Sequence, residues 1–307
     1  STTLFRSESA VIVLVAQIRA GLWVRNGFGM RAQQLHYKEY SLRENTYDQD
    51  ILFLQTALVV LDPSIILIAI LDRFQVQEWL GGHDVHSTYE PAQAFAMVEE
   101  MLYLFILLLS DPTFVAGLES ETCLRREIVH HLCLGPLPYS DLMRRVSEKF
   151  ADDPALDRVL GDVANFKAPV GTADQGTYSL KPECFSEVNP YFSRYSRNQR
   201  EEADKIVRAQ MKKLTGAADP VIVPSKLAIA RGPFGTLAQT FHSDVLHQTI
   251  FFAMQHGRAR GELFSEILVD EAIHLAMLAL VEAPDSFASF AAERRSEEHT
   301  SELQSPV

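Results

Sequence analysis

Apolar residues recur along this chain at the three- and four-residue intervals of an amphipathic helix, and turn-forming residues interrupt them often enough to predict a series of separate helices. The first is expected from Ala10 to about Val24, capped by Ser7 or Ser9 and stopped by Asn26–Gly27. Trp23, near its end, reads as a core anchor. A second helix should run from about Phe28 to Lys38, its end made aromatic by Tyr37 and Tyr40. The next starts at Asn45 or Thr46. It places Asp48 and Asp50 in the first turn, where the helix dipole favours acid, and repeats Ile51, Leu54, Leu58 and Leu61 at helical spacing. Asp62–Pro63 closes it and opens another helix with proline at a permitted first position. That helix is expected to continue through Arg73, Phe74 and Trp79 to Gly81–Gly82. A long helix over Pro91–Leu109 carries Glu99 and Glu100 on one side and is otherwise so apolar that other elements must cover it nearly all round. Residues 1–117 therefore read as one helical scaffold arm.

The pattern shortens in the middle of the chain. Arg125–Leu134 carries Ile128, Val129, Leu132 and Leu134 and stops at Gly135–Pro136. Pro138–Ser140 leads into a second short helix with Leu142, Val146 and Phe150. Asp153–Pro154 opens a third, with Leu156, Val159, Leu160 and Val163 facing inward, up to Phe166. Pro169–Val170, a turn over Gly171–Gly176 and Thr177–Leu180 then form a two-stranded wing. Three short helices with an appended hairpin are the winged variant of the helix-turn-helix, and residues 118–188 read as such a domain. The fold class is thus mostly α, with helical arms flanking a small winged-helix module that holds a short β-hairpin.

A second arm follows over residues 189–294. Pro190 is expected to start a long helix with Tyr191, Phe192 and Tyr195, then a basic stretch of Arg194, Arg197, Arg200, Lys205, Arg208, Lys212 and Lys213, interrupted by Glu201, Glu202 and Asp204. Ile206, Val207, Met211 and Leu214 give it an apolar seam of nearly coiled-coil spacing. It reads first as a solvated helix with one packed seam, and alternatively as a docking surface for an acidic partner. Thr215–Pro224 is the clearest linker. Two more helices are expected, at about Pro233–His256 and Glu262–Glu282. The tail Arg295–Ser305 looks like translated sequencing adapter, so residues 295–307 are set aside as non-native, and the start at Ser1 without Met suggests a truncated front.

Composition narrows the choice of function. The 307 residues suffice for about two domains of roughly 150 residues. With 47% hydrophobic and 22% charged residues they can build real cores. The net charge of −12 speaks against a polyanion as the main partner, since phosphate neutralisation needs clustered Lys and Arg. A winged helix would read DNA through its third helix, yet here that helix carries Asp157 and Asp162 against Arg158 and Lys167, with Asp152 and Asp153 at its start. A nucleic-acid binder with helical dimerisation arms is the alternative reading, and protein contact is preferred. The apolar runs Ile65–Leu71 and Met101–Leu109 fall short of the about 20 residues that span a bilayer, so both read as buried helix and no membrane partner is expected.

Chemistry-bearing residues do not converge. Cys123, Cys133 and Cys184 are odd in number and lack CxxC spacing, which reads as reduced thiols in an intracellular compartment without structural zinc. His83 and His86 sit in a loop without further ligands, the adjacent His130 and His131 should point apart, and His242 and His247 lack a metal-ligand spacing. Glu271–His274 has the E-x-x-H spacing of di-iron bundles, but those need a second copy and two further carboxylates. No catalytic, cofactor-binding or metal residue is assigned.

A set of short strings, in order, carries a resemblance. They are Leu14–Gln17, Trp23, Arg25–Gly27, Arg43–Glu44, Asp48, Asp50–Ile51, Leu54–Gln55, Asp62–Pro63, Arg73–Phe74 and Glu99–Leu102 in the first arm. Arg126–Ile128, Leu132–Cys133, Pro138, Phe166–Lys167, Gly176 and Tyr178 follow in the centre, and Tyr191–Phe192 with Tyr195–Ser196 after it. Over about Ala10–Glu282 the chain resembles the UBR-box N-recognin ubiquitin ligases, which read destabilising N-terminal residues. The resemblance implies a RING-type ligase that holds a ubiquitin-conjugating enzyme, acts on N-degron substrates, and works in the cytoplasm with the nucleus as a second compartment. This stretch would be its non-catalytic scaffold between the substrate-reading and RING parts. No Cys/His-rich UBR box and no RING cysteine set occurs here, so zinc is expected only in other parts of such a protein, and this stretch alone is expected to be inactive.

Overall fold

The computed structural model describes residues 2–23, 29, 32, 36–38, 41–81, 86–169, 171, 175–227, 232–257 and 265–304. They form two compact units, one of Ser1–Ala116 with Pro224–Val307 and one of Gly117–Val223. This division differs from the arms expected from the sequence. The basic helix and the residues before it pack into the central unit, while the last helices pack against the first arm. The physical reason lies in their partners, given below.

The first unit is helical. α1 (Thr2–Arg19) ends earlier than expected, because Gly21 takes a left-handed φ of 78° and the amides of Gly21 and Leu22 close on the carbonyls of Ile18 and Gln17 at 3.2 and 3.0 Å. That pair of bonds is a Schellman stop, five residues before the expected Asn26–Gly27, which lies outside the described residues. Trp23 consequently falls beyond the helix. It is 41% exposed, with its indole N–H donating to Gln17 Oε1 at 3.3 Å, and it anchors no core. Most of the expected Phe28–Lys38 helix lies outside the described residues.

α2 (Tyr47–Val60) follows a 3₁₀ turn at Ser41–Asn45. Its acids do more than face a dipole. Asp48 is buried and accepts from Arg43 Nε at 2.7 Å, and Asp50 accepts from the Tyr37 hydroxyl. Arg19 reaches Glu100 at 2.8 Å, while the ammonium of buried Lys38 lies 3.9 Å from Glu100 and over the Tyr47 and Tyr103 rings at 5.0 and 4.9 Å. Breaking one partner of such an enclosed pair costs about 3–5 kcal/mol, because the other charge stays behind in a poor solvent.

Asp62 caps α3 (Pro63–Phe74) as expected, accepting from Ser64 N at 2.8 Å, with Pro63 at the first position. The helix does not continue to Gly81. Gln75, at a left-handed φ of 56°, ends it, and a one-turn α4 (Gln77–Leu80) follows. The Ile65–Leu71 run is amphipathic here, with Ile66, Leu67, Ile70 and Leu71 buried and Ile65 and Ile68 exposed. α5 (Pro91–Ser110) is long and apolar enough to cross a membrane, yet 72% of its most apolar window is buried within the protein. α1, α2 and α3 cover it from the first arm. Gln55, fully buried, donates its amide to the carbonyls of Leu108 and Asp111 at 3.1 and 3.2 Å and so satisfies the buried end of α5.

The rest of the covering comes from the C-terminal helices, which is why they belong to this unit. Residues 233–256, expected as one helix, form a 3₁₀ segment (Pro233–His242) that breaks at Ser243. The later helices of this unit are α10 (Asp244–Gly257), α11 (Glu266–Glu282) and α12 (Pro284–Gln304). α11 packs on α5 and α10, and Ser265 donates to Glu99 where it caps α11. The Arg294 guanidinium of α12 lies 5.6 Å from the Phe251 and Phe290 ring centres. α12 remains helical into the stretch from residue 295 set aside above.

The second unit is the winged helix. α6 (Ser120–Cys133), α7 (Tyr139–Met143) and α8 (Leu156–Val163) enclose Leu124, Ile128, Leu142, Val159, Leu160 and Val163. Among the described residues the sheet has three strands, one more than expected, in the order β1-β3-β2 and antiparallel throughout. β1 is Leu137–Pro138, β2 Ala164–Lys167 and β3 Thr177–Leu180, with Phe166 opposite Tyr178 and Leu137 opposite Tyr178 on the other side. α8 thus stops at Val163 rather than at Phe166. α9 (Arg197–Thr215) starts after its cap Ser196, not at Pro190. Ser196 and Gln199 form a reciprocal capping box, and Gly216 at φ 71° ends the helix.

Candidate functional site

The strongest polar construction of the winged-helix unit joins α6 to the segment before α9. Glu127 is buried on α6, where it accepts from Ser147 N at 2.7 Å and faces Arg194 Nε at 3.4 Å. Arg194 also donates to Ser147 Oγ at 2.7 Å. One turn later His130 bonds at both ring nitrogens. Nε2 accepts from Asn189 N at 2.9 Å, so Nδ1 carries the proton and donates to the Arg126 carbonyl at 2.6 Å. The His130 ring stacks on Phe192 at 4.2 Å and the His131 ring meets the same Phe192 edge-on at 6.0 Å. The adjacent histidines therefore share a partner across the aromatic ring, which their i,i+1 spacing concealed. The Tyr195 hydroxyl donates to the His130 carbonyl, and the Arg126 guanidinium covers Phe192 at 4.9 Å.

Burial governs the chemistry of these groups. It lowers the His131 pKa to about 4, assisted by Arg145 and Arg194, and raises the Cys133 thiol to about 12. It also raises the Tyr195 phenol. A neutral imidazole and an unionised thiol without access to solvent fill a core.

The outer face of α8 presents Asp157, Arg158, Gly161 and Asp162. Arg158 is engaged by Glu121 at 2.5 Å, and Asp153 below it accepts from Ala155 N and Ser120 Oγ, which lowers its pKa. Lys181 turns its ammonium to the Gly161 and Asp162 carbonyls at 2.8 and 2.9 Å and so holds the end of α8. The outward charges of α8 are thus two acids and an arginine already paired with Glu121.

On α9 the expected seam exists in part. Val207 is buried, Ile206 and Met211 pack against the same core, and Leu214 is 72% exposed. Arg208 bonds Asp204 at 2.6 Å and the Pro220 carbonyl at 2.9 Å, while Lys205, Lys212 and Lys213 face outward. The expected linker Thr215–Pro224 starts from Gly216 and returns Ile222 to that core. Phe166 on the wing (58% exposed) and Tyr139 at the start of α7 (44%) lie 5.0 and 6.4 Å from the Tyr178 ring.

Among the described residues no group of three or more His, Cys, Asp or Glu side chains is placed to hold a metal. His83 lies outside them. His86 uses Nδ1 to accept from Thr88 N and Tyr89 N and closes its own loop. Glu271 and His274 are both buried on α11, and burial lowers His274 to about 3. Cys123, Cys133 and Cys184 form no disulfide with one another.

The UBR1/2/3-like ARM repeat domain matches residues 4–104, and the winged-helix domain of UBR1-like E3 ubiquitin-protein ligases matches residues 123–221. E3 ubiquitin-protein ligase ubr1 of Schizosaccharomyces pombe is 33% identical over 276 residues, which cover 88% of this chain and 14% of that protein. The chain belongs to the UBR1-like ligase family. UBR2 of Homo sapiens is 31% identical over 88% of the chain and 16% of its own length, and PRT6 of Arabidopsis thaliana 28% identical over 87% and 13%. The chain thus spans about a seventh of the length of these family members. The winged-helix match extends through α9 to residue 221, in agreement with the compact unit that ends at Val223. The family's ARM match ends inside α5, before the helices that complete its cover.

Proposed function

We propose that this chain is the non-catalytic scaffold and winged-helix part of a RING-type N-recognin, which passes ubiquitin from a conjugating enzyme to proteins with destabilising N-terminal residues. The observation that carries it is the order of the two matches, ARM repeats then winged helix, within a continuous alignment over 88% of the chain to proteins named as E3 ubiquitin-protein ligases. The packing of buried His131, Cys133 and Tyr195 around Phe192 in the winged-helix unit suits a rigid spacer better than a reacting site. Its partners through the whole protein are then a ubiquitin-conjugating enzyme and N-degron substrates, its zinc belongs to the UBR box and RING, and its place is the cytoplasm, with the nucleus second.

The test is a transplant. The chain, without residues 295–307, replaces the aligned stretch of the fission-yeast relative in cells lacking their own copy. A reporter with an N-terminal arginine is followed by pulse-chase. Rapid decay is expected, while the isolated chain transfers no ubiquitin in vitro. A chimera that accumulates to normal levels and leaves the reporter stable would overturn the proposal.

A further inference from the structure

We draw no further inference here: the strongest candidate, the aromatic face of the winged-helix sheet formed by exposed Phe166 and Tyr139 around Tyr178, carries nothing because nothing in the structure shows what covers it.

Discussion

The guanidinium of Arg194 lies 3.4 Å from the Glu127 carboxylate, and the two side chains are only 18% and 9% exposed. The first cation of the basic stretch therefore belongs to the winged-helix core, and it ties the segment before α9 to α6. Arg194→Ala should destabilise the protein by about 3 kcal/mol, because Glu127 keeps its charge in an enclosed site. Arg197, whose pair with Glu201 spans 4.0 Å at 42% and 50% exposure, provides the contrast. Its alanine variant should stay within about 0.5 kcal/mol of the parent. Urea unfolding of both variants checks this, and equal losses would remove Arg194 from the core.

The exposed indole of Trp23 leads to a second expectation. Trp23→Ala should change stability by less than about 1 kcal/mol, the range of surface substitutions. Phe105→Ala, at a fully buried position of α5, should cost about 3–5 kcal/mol. Thermal unfolding followed by circular dichroism separates the two, and a large loss at Trp23 would place it in a core after all.

Much of this fold was legible in the sequence, and the failures have definite causes. Asp62–Pro63 marked a helix start because capping and proline chemistry are local, and Leu156, Val159, Leu160 and Val163 marked the inner face of α8 by their helical spacing. The stops were less legible. Gln75 adopts φ 56° without being glycine, and Gly21 gave no warning beside the more obvious Asn26–Gly27. Strand β2 was hidden because Ala164–Lys167 continues the apolar pattern of α8, and only its pairing with β3 makes it a strand. Grouping was the least legible, since α11 covers α5 across more than 150 residues of chain, as Ser265 and Glu99 show. The node of Glu127, His130 and Arg194 escaped notice because its members are spread over α6 and the residues before α9. The one available signal was a buried-spaced Glu and His on an otherwise apolar helix face. The family resemblance, by contrast, was legible in strings of both units as far as Ser196 and weakest after Thr215.

Two glycines should respond to alanine in opposite directions. A Cβ on Gly257 would collide with Val269 Cγ2 and meet Leu268 Cδ2 at 3.1 Å, where α10 lies against α11. Gly257→Ala should therefore cost about 1–3 kcal/mol through overpacking. A Cβ on Gly161 would meet nothing within 4 Å on the exposed face of α8. Gly161→Ala should stabilise by about 0.5–1 kcal/mol through helix propensity. A higher midpoint for Gly257→Ala, or a lower one for Gly161→Ala, would contradict these packings.

His131 sets a pH dependence whose sign can be derived. Its folded pKa of about 4 lies below the ordinary value of 6.5, because burial and then Arg145 and Arg194 oppose the charged ring. Glu127, which faces Arg194, is the nearby acid of this cluster. Between those two values the unfolded chain binds a proton at this site and the folded chain does not. Stability rises with pH through that window, is fully present above pH 6.5, and is lost as pH falls towards 4. The shift corresponds to about 3 kcal/mol at full separation. Hydrogen exchange at the Val159 and Leu160 amides of α8 reports this unit without contribution from His274, which belongs to the other. Protection there should weaken from pH 6.5 to pH 4 beyond the ordinary chemical trend, and His131→Phe, which keeps a ring beside Phe192 without a titrating group, should flatten the slope. An unchanged slope in that variant would assign the acid sensitivity to another group.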